Sequence, residues 1–309
     1  MRRDVEFVLA RLDWMRERRI WPNGLRYLWT DAFGVVLLLS LHRALGGDTW
    51  LEQAEAVVAE VDRVLGRPRG YRIGEAPDRD GQYFHYLAMW LFALWRLSEF
   101  RPGFRARAVG LVRDIHPAFC VPGHGVLWKM REDLSGPYPG YGFGALDPFH
   151  AAVVYRLIDP VGLASEIADM ESLAEASSQR LFITQDLGLG MMLWLSHFPT
   201  TRPWARVQRE RALPTLDRMW VDPPGYFCRG PGQRETRFAF TNYGVAVGLQ
   251  AVGAWPERVA RLNDYFETYR SHDQYDTDAI THVMACSARL PGLLLAGDRN
   301  AGRPGPVDP

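Results

Sequence analysis

The chain has 309 residues, 47% of them hydrophobic, 12% aromatic and 23% charged, a composition that excludes disorder and indicates a packed globular protein. Its 36 basic and 36 acidic residues cancel, so no net positive field exists to hold nucleic acid or an anionic membrane. The longest apolar runs, near Ala32–Leu41 and Leu187–Leu195, fall short of the ~20 residues that cross a bilayer.

In chain order, the hydrophobic period is helical almost throughout, and strand-like alternation is scarce. An amphipathic segment, Val5–Arg18, opens the chain. Two kinds of helix then alternate. Asp31–Leu45 is apolar on all sides and Trp50–Leu65 carries a charged stripe. The pattern repeats as Tyr83–Leu97 then Phe104–Phe119, Asp147–Ile158 then Val161–Gln179, Asp186–Phe198 then Trp204–Trp220, and Asn242–Val252 then Pro256–Tyr269. Thr277–Arg289 ends it. A helix apolar all round is buried, whereas a striped one covers it from outside. Residues 1–295 are therefore expected to form one domain of six inner and six outer helices, with Val5–Arg18 completing the outer set. Residues 296–309 are read as a Gly/Pro-rich tail.

The connections differ by direction. Inner helices pass outward through short turns: Thr49-Trp50-Leu51-Glu52 reads as a capping box, and Pro102, Pro203 and Pro256 sit near first turns, where proline costs least. The returns Gly66–Gln82, Val121–Leu146 and Val221–Thr241 are longer and rich in Gly, Pro, Tyr and Arg. In a ring of hairpins this asymmetry gathers the long loops and the inner-helix N-termini on one face, where function usually resides. The loop Val121–Leu146, with six glycines from Gly123 to Gly144 and with Tyr138 and Tyr141, is expected to bend over that face.

The stretches Trp29-Thr30-Asp31-Ala32-Phe33-Gly34 and Leu45-Gly46-Gly47-Asp48-Thr49-Trp50-Leu51 resemble the inner–turn–outer unit of six-hairpin (α/α)6 toroids. These include glycoside hydrolases, unsaturated-glucuronyl hydrolases and N-acylglucosamine 2-epimerases. The resemblance covers nearly the whole chain through Arg289, and no family's catalytic signature is matched. It implies an all-α toroid with a cleft at the inner-helix N-termini.

The inner-helix starts carry an unusual polar set: Asp31; Gln82, Tyr83 and His85; Asp147 and His150; Gln185 and Asp186; Asn242 and Tyr243; Asp276, Asp278 and His282. Nearby loops add Asp78, Asp80, Tyr138, Tyr141, Tyr226, Arg237, His272 and Asp273. A single Asp or Asn at a helix start reads as an N-cap. Six starts converging on one axis crowd a shared pocket, where burial and mutual repulsion raise a carboxyl's pKa and separate an acid from a base. Asp147, Asp186 and Asp278 are the first acid/base candidates, with Asp80, His85 and His150 beside them. Trp29, Asp31, Gln82, Tyr83, Tyr141, Asn242, Tyr243 and Asp276 are candidates for holding substrate, since flat aromatic faces stack on sugar C–H faces.

The pairs Asp80/His85, Asp147/His150 and Asp278/His282 read as carboxylates orienting histidines rather than as metal ligands. Cys120, Cys228 and Cys286, distant and odd in number, give neither a disulfide framework nor a cysteine-type zinc site. No metal, cofactor, nucleic-acid or membrane partner is expected. The start Met1-Arg2-Arg3-Asp4, leading into charged helix, lacks a signal peptide's apolar stretch, and a cytoplasmic location is expected.

The function expected is a carbohydrate-active enzyme working on a small sugar or glycoside by general acid/base catalysis. Two alternatives stand beside it. Asp276-Thr277-Asp278-Ala279 resembles the Asp-x-Asp-Asp acid motif of protonation-initiated terpene cyclases, departing from it at Ala279. A toroid that binds without catalysis is the other.

Overall fold

In the computed structural model, residues 2–222, 224–226 and 238–296 are described. Twelve α-helices run through them: α1 (Arg2–Glu17), α2 (Leu28–Leu45), α3 (Thr49–Leu65), α4 (Phe84–Ser98), α5 (Gly103–Phe119), α6 (Asp147–Ile158), α7 (Ala164–Ser178), α8 (Asp186–Ser196), α9 (Pro203–Met219), α10 (Ala239–Ala251), α11 (Pro256–Thr268) and α12 (Ala279–Arg289). The even-numbered helices pack side by side in the cycle α2–α4–α6–α8–α10–α12, and α12 closes on α2. The odd-numbered helices cover them, with α1 against α12. This is an (α/α)6 toroid.

Burial follows the two sequence patterns. In α2 every residue from Leu28 to Leu41 is buried, whereas α3 buries only Leu51, Ala54, Val57, Val58, Val61 and Leu65, one stripe at helical spacing. Among the described residues α2 alone is long and apolar enough to cross a membrane. In the toroid that apolarity faces neighbouring helices instead. Helices α8 and α10 approach closely at their glycines. A Cβ on Gly248 would stand 2.2 Å from the Gly190 carbonyl oxygen, so only glycine permits the contact.

One local expectation fails. The box at Thr49–Glu52 does not form: the α3 N-cap is Asp48, and no side chain caps it. The left-handed residues Gly46 and Gly47, with φ of 74° and 78°, turn the chain straight into the helix, and the Glu52 N–H donates to the Asp48 carbonyl instead. Pro203 and Pro256 open α9 and α11, and Pro102 is the N-cap of α5.

The long returns carry two short antiparallel ladders. β1 (Gln82–Tyr83) pairs with β4 (Lys129–Met130), with Gln82 opposite Met130. β2 (Cys120–Val121) pairs with β3 (Gly125–Val126). They anchor the loop Val121–Leu146 against the start of α4. At the opposite end, residues 292–295 lie across the C-terminal halves of three inner helices. The Leu293 N–H donates to Ser40 Oγ at 2.9 Å, Trp194 Nε1 donates to the Leu294 carbonyl at 2.7 Å, and Arg96 donates to the Leu295 carbonyl at 2.7 Å. That segment seals one end of the ring and leaves a cavity open at the other. Cys228, Arg237 and the tail from residue 297 lie outside the described residues.

Candidate active site

A cavity of about 850 Å³ lies at the inner-helix N-termini, and every inner helix lends residues to it. Its walls include Trp29 of α2, His85 and Tyr86 of α4, Asp147 and His150 of α6, Leu187 and Met191 of α8, Phe240 of α10, and Asp278 beside α12. The size falls within the roughly 300–1,000 Å³ of small-molecule sites. The loop Val121–Leu146 lies over this face and supplies Trp128, Phe143, Gly144, Ala145 and Leu146.

Asp147 is the most unusual group. It is 2% exposed and its Oδ2 has no partner. It sits within α6 rather than at the cap, which is Leu146. Burial pushes its carboxyl well above the usual range, favouring the protonated acid. Its side chain lies over Gly144, where a Cβ would come within 1.7 Å of Oδ2. His150, three residues on and thus on the same helix face, is also 2% exposed, and its Nε2 has no partner. Burial, reinforced by His85, pulls its pKa down to about 3, which keeps the ring neutral.

His85 is partly accessible from the cavity. Its Nδ1 accepts from Trp128 Nε1 at 3.3 Å, which leaves the ring's proton on Nε2. Burial takes its pKa down to about 3. Trp128 itself is stacked on Tyr83, 5.5 Å between centroids and 11° between planes. Trp29 meets His85 edge-on, with 5.5 Å between ring centres.

Asp278 stands at the α12 N-cap without a side-chain cap bond and lines the cavity. Burial raises its pKa, and Arg79 partly offsets the rise. Helices α6 and α12 lie opposite in the ring order, so Asp147 and Asp278 approach the cavity from opposite walls. Arg79 donates to the Tyr27 hydroxyl at 3.0 Å, and that hydroxyl bonds the Tyr86 hydroxyl. This chain carries positive charge to the cavity wall.

Of the remaining residues singled out from the sequence, Gln185 lines the cavity, whereas the following ones lie behind the walls. Asp186 is fully buried and not in the cavity. Its Oδ2 accepts from Thr241 Oγ1 at 2.6 Å and its Oδ1 from the Leu187 N–H, tying α8 to α10. Burial nevertheless raises its pKa to about 6. Asp31 is buried against Arg26 at 3.0 Å and Trp21 Nε1 at 2.9 Å. Gln82 holds the loop backbone at Tyr71, Arg69 and Glu132. Asn242 holds Tyr226 and Phe238, and Tyr243 packs on Phe266. Asp276 accepts from the Ser271 and His272 N–H groups. Burial works to raise its pKa, but these bonds outweigh it and hold the carboxyl below the usual range. The Asp276–Asp278 motif is therefore split, with only Asp278 on the cavity.

Asp80, Tyr83 and Tyr141 form a knot beside the site. Asp80 accepts from Lys129 Nζ at 3.2 Å and from the Tyr138 hydroxyl at 2.5 Å. Lys129, the only lysine in the chain, lies 3.8, 5.2 and 5.3 Å from the ring centres of Tyr138, Tyr141 and Tyr83. The knot fixes the loop that places Trp128 over His85. None of the three expected carboxylate–histidine pairs forms. Asp80 binds Lys129, and His282 Nε2 meets the Asp276 carbonyl oxygen at 3.0 Å. Asp147 and His150 stand bare at Oδ2 and Nε2, side by side. Trp128, Tyr27 and Arg79 were not singled out from the sequence. The aromatic–Lys run in the Gly-rich loop was the available signal for the first, and the Asp-Arg-Asp run at 78–80 for the last.

No protein-family model matches the chain, and no curated protein sequence matches it. Solved structures do. A cellobiose 2-epimerase from Bacillus thermoamylovorans B4167 superposes with a TM-score of 0.63 over 86% of this chain and 88% of that one, at 11% identity. A D-mannose isomerase gives 0.63 over 88% of both chains at 10% identity. A family 76 glycoside hydrolase from a bovine Bacteroides thetaiotaomicron strain gives 0.56 over 89% and 69% at 11% identity. At such identities the likeness is one of fold, and the fold is that of six-hairpin toroids.

Proposed function

We propose that this chain is a carbohydrate-active enzyme that isomerises or epimerises a small reducing sugar by proton transfer in the central cavity. One observation carries the reading. A buried carboxyl bare at Oδ2, Asp147, whose pKa burial raises, and a neutral imidazole bare at Nε2, His150, stand one helical turn apart on the same cavity wall. That pair supplies both halves of a 1,2-proton shift. The imidazole takes the proton from the carbon next to the sugar's carbonyl, and the carboxylic acid protonates the carbonyl oxygen, giving an enediol. Return of the proton to the former carbonyl carbon, as the adjacent hydroxyl gives its proton back to Asp147, yields the ketose; its return to the opposite face of the carbon that lost it, after the enediol turns in the cavity and the original oxygen gives its proton back to Asp147, yields the epimer. His85, with its proton on Nε2, donates to a substrate oxygen. Trp29, Tyr86 and Trp128 offer flat faces to the ring. The shift is redox-neutral and asks for no redox cofactor. The solved epimerases and isomerase of this fold support the same class. The unpaired, buried Cys120 and Cys286 support a reducing, cytoplasmic setting.

A second reading is glycoside hydrolysis, favoured by Asp278 standing opposite Asp147 as an acid/base pair does in glycosidases. One experiment separates the two. The enzyme is incubated in D₂O with aldoses, ketoses and reducing disaccharides, and with aryl glycosides. Proton loss at C2 by NMR is the expected result. Release of aglycone without exchange moves the assignment to hydrolysis. Ligand binding without either leaves a toroid that binds only, and the proposal fails.

A further inference from the structure

Away from the cavity, His116 of α5, Cys120 just beyond its end and Asp169 of α7 meet. One ring nitrogen, the thiol sulfur and a carboxylate oxygen lie within 4.8 Å of one another. His116 Nε2 stands 3.2 Å from Asp169 Oδ2. A tetrahedral ion with bonds of about 2.0–2.3 Å spaces its ligand atoms roughly 3.3–3.8 Å apart. The three donors therefore need only a small contraction to share one ion.

A second observation points the same way. His116 is 7% exposed, and its Nδ1 has no partner. The Tyr155 hydroxyl, on α6 beneath it with ring centres 5.9 Å apart, is also buried without a partner. With His116 Nε2 turned to Asp169, the unsatisfied hydroxyl of Tyr155, whose ring packs on His116, is the kind of deficit that an ion with bound water relieves. Asp169 is exposed at the surface, which gives an ion a way in.

We propose that His116, Cys120 and Asp169 bind one zinc-class divalent cation, with water or Tyr155 in the fourth position. The mixture of nitrogen, sulfur and oxygen donors suits zinc rather than calcium or magnesium, which take oxygen alone. Cys120 also begins β2, whose partner β3 leads into the loop over the cavity. The ion would staple α7 to the root of that loop, a structural role distinct from proton transfer in the cavity.

The test uses the untagged full chain, stripped with EDTA and desalted. Titration with cobalt(II) chloride is expected to give a thiolate-to-cobalt charge-transfer band that saturates at one equivalent and is displaced by zinc chloride. Zinc chloride should also raise the melting temperature. Cys120→Ala, with unchanged far-ultraviolet circular dichroism, should lose both effects, and His116→Gln should weaken binding at least about tenfold. A folded wild-type chain without the band overturns the proposal, and so does a band that persists in Cys120→Ala. Should Cys120→Ala fail to fold, Asp169→Asn, altered at an exposed position, decides: wild-type affinity there overturns it.

Discussion

Replacing Asp147 by Asn separates chemistry from stability with opposite signs. The carboxyl ionises near 3.8 in an unfolded chain, and burial raises that value well above it in the fold. A group whose folded pKa is raised favours the folded state below the unfolded value and costs it stability as pH rises above. At pH 7 the gap is roughly three pH units. At about 1.4 kcal/mol per unit the cost has a ceiling of about 4 kcal/mol. Asn is nearly isosteric and never ionises. Asp147→Asn is therefore expected to raise stability at pH 7 by up to that amount, with the gain fading toward zero at pH 4. Its turnover should fall about 10²–10⁴-fold, since the acid is gone. Urea unfolding at pH 7 and pH 4, with sugar turnover by NMR, reads both effects. A variant less stable than the parent at pH 7 by more than about 1 kcal/mol would mean an ionised carboxylate held by partners. The acid role would then be refuted.

Gly144→Ala puts a Cβ where Asp147 Oδ2 now lies; turnover should drop about 10²-fold with little change in circular dichroism, whereas full activity would show that this carboxyl's position is irrelevant. His150 has its pKa lowered to about 3, so its neutral burial adds stability above the unfolded value of 6.5 that is lost as pH falls toward 3. His150→Gln should flatten that decline in a pH series of denaturation midpoints, and an unchanged slope would contradict the burial argument. Arg26→Met strips Asp31 of its buried partner and should cost about 3–5 kcal/mol at pH 7. The loss should ease toward pH 5 as the carboxyl takes up a proton, and urea unfolding at the two pH values checks it.

The alternation of wholly apolar and striped helices was sufficient for the toroid. Burial periodicity is a local property of each helix, and six such pairs leave the ring as the packing that hides every apolar face. Loop lengths likewise placed the cavity at the inner-helix N-termini. Which polar residue faces that cavity was not legible, because each step along a helix turns the side chain by about 100°. Asp147, Asp186 and Asp278 all sit at helix starts. Only the packing of α8 on α10 turns Asp186 to the Thr241 hydroxyl, while Asp147, lying over a glycine, stays bare at Oδ2 beside His150. Trp128 reaches His85 through two-residue ladders too short to mark a pattern in the chain. The meeting of His116 and Cys120 with Asp169 depends on how α5 and α7 flank α6. A span of 53 residues in sequence becomes 3.2 Å in space, and such closure is made by tertiary packing, which no local spacing encodes.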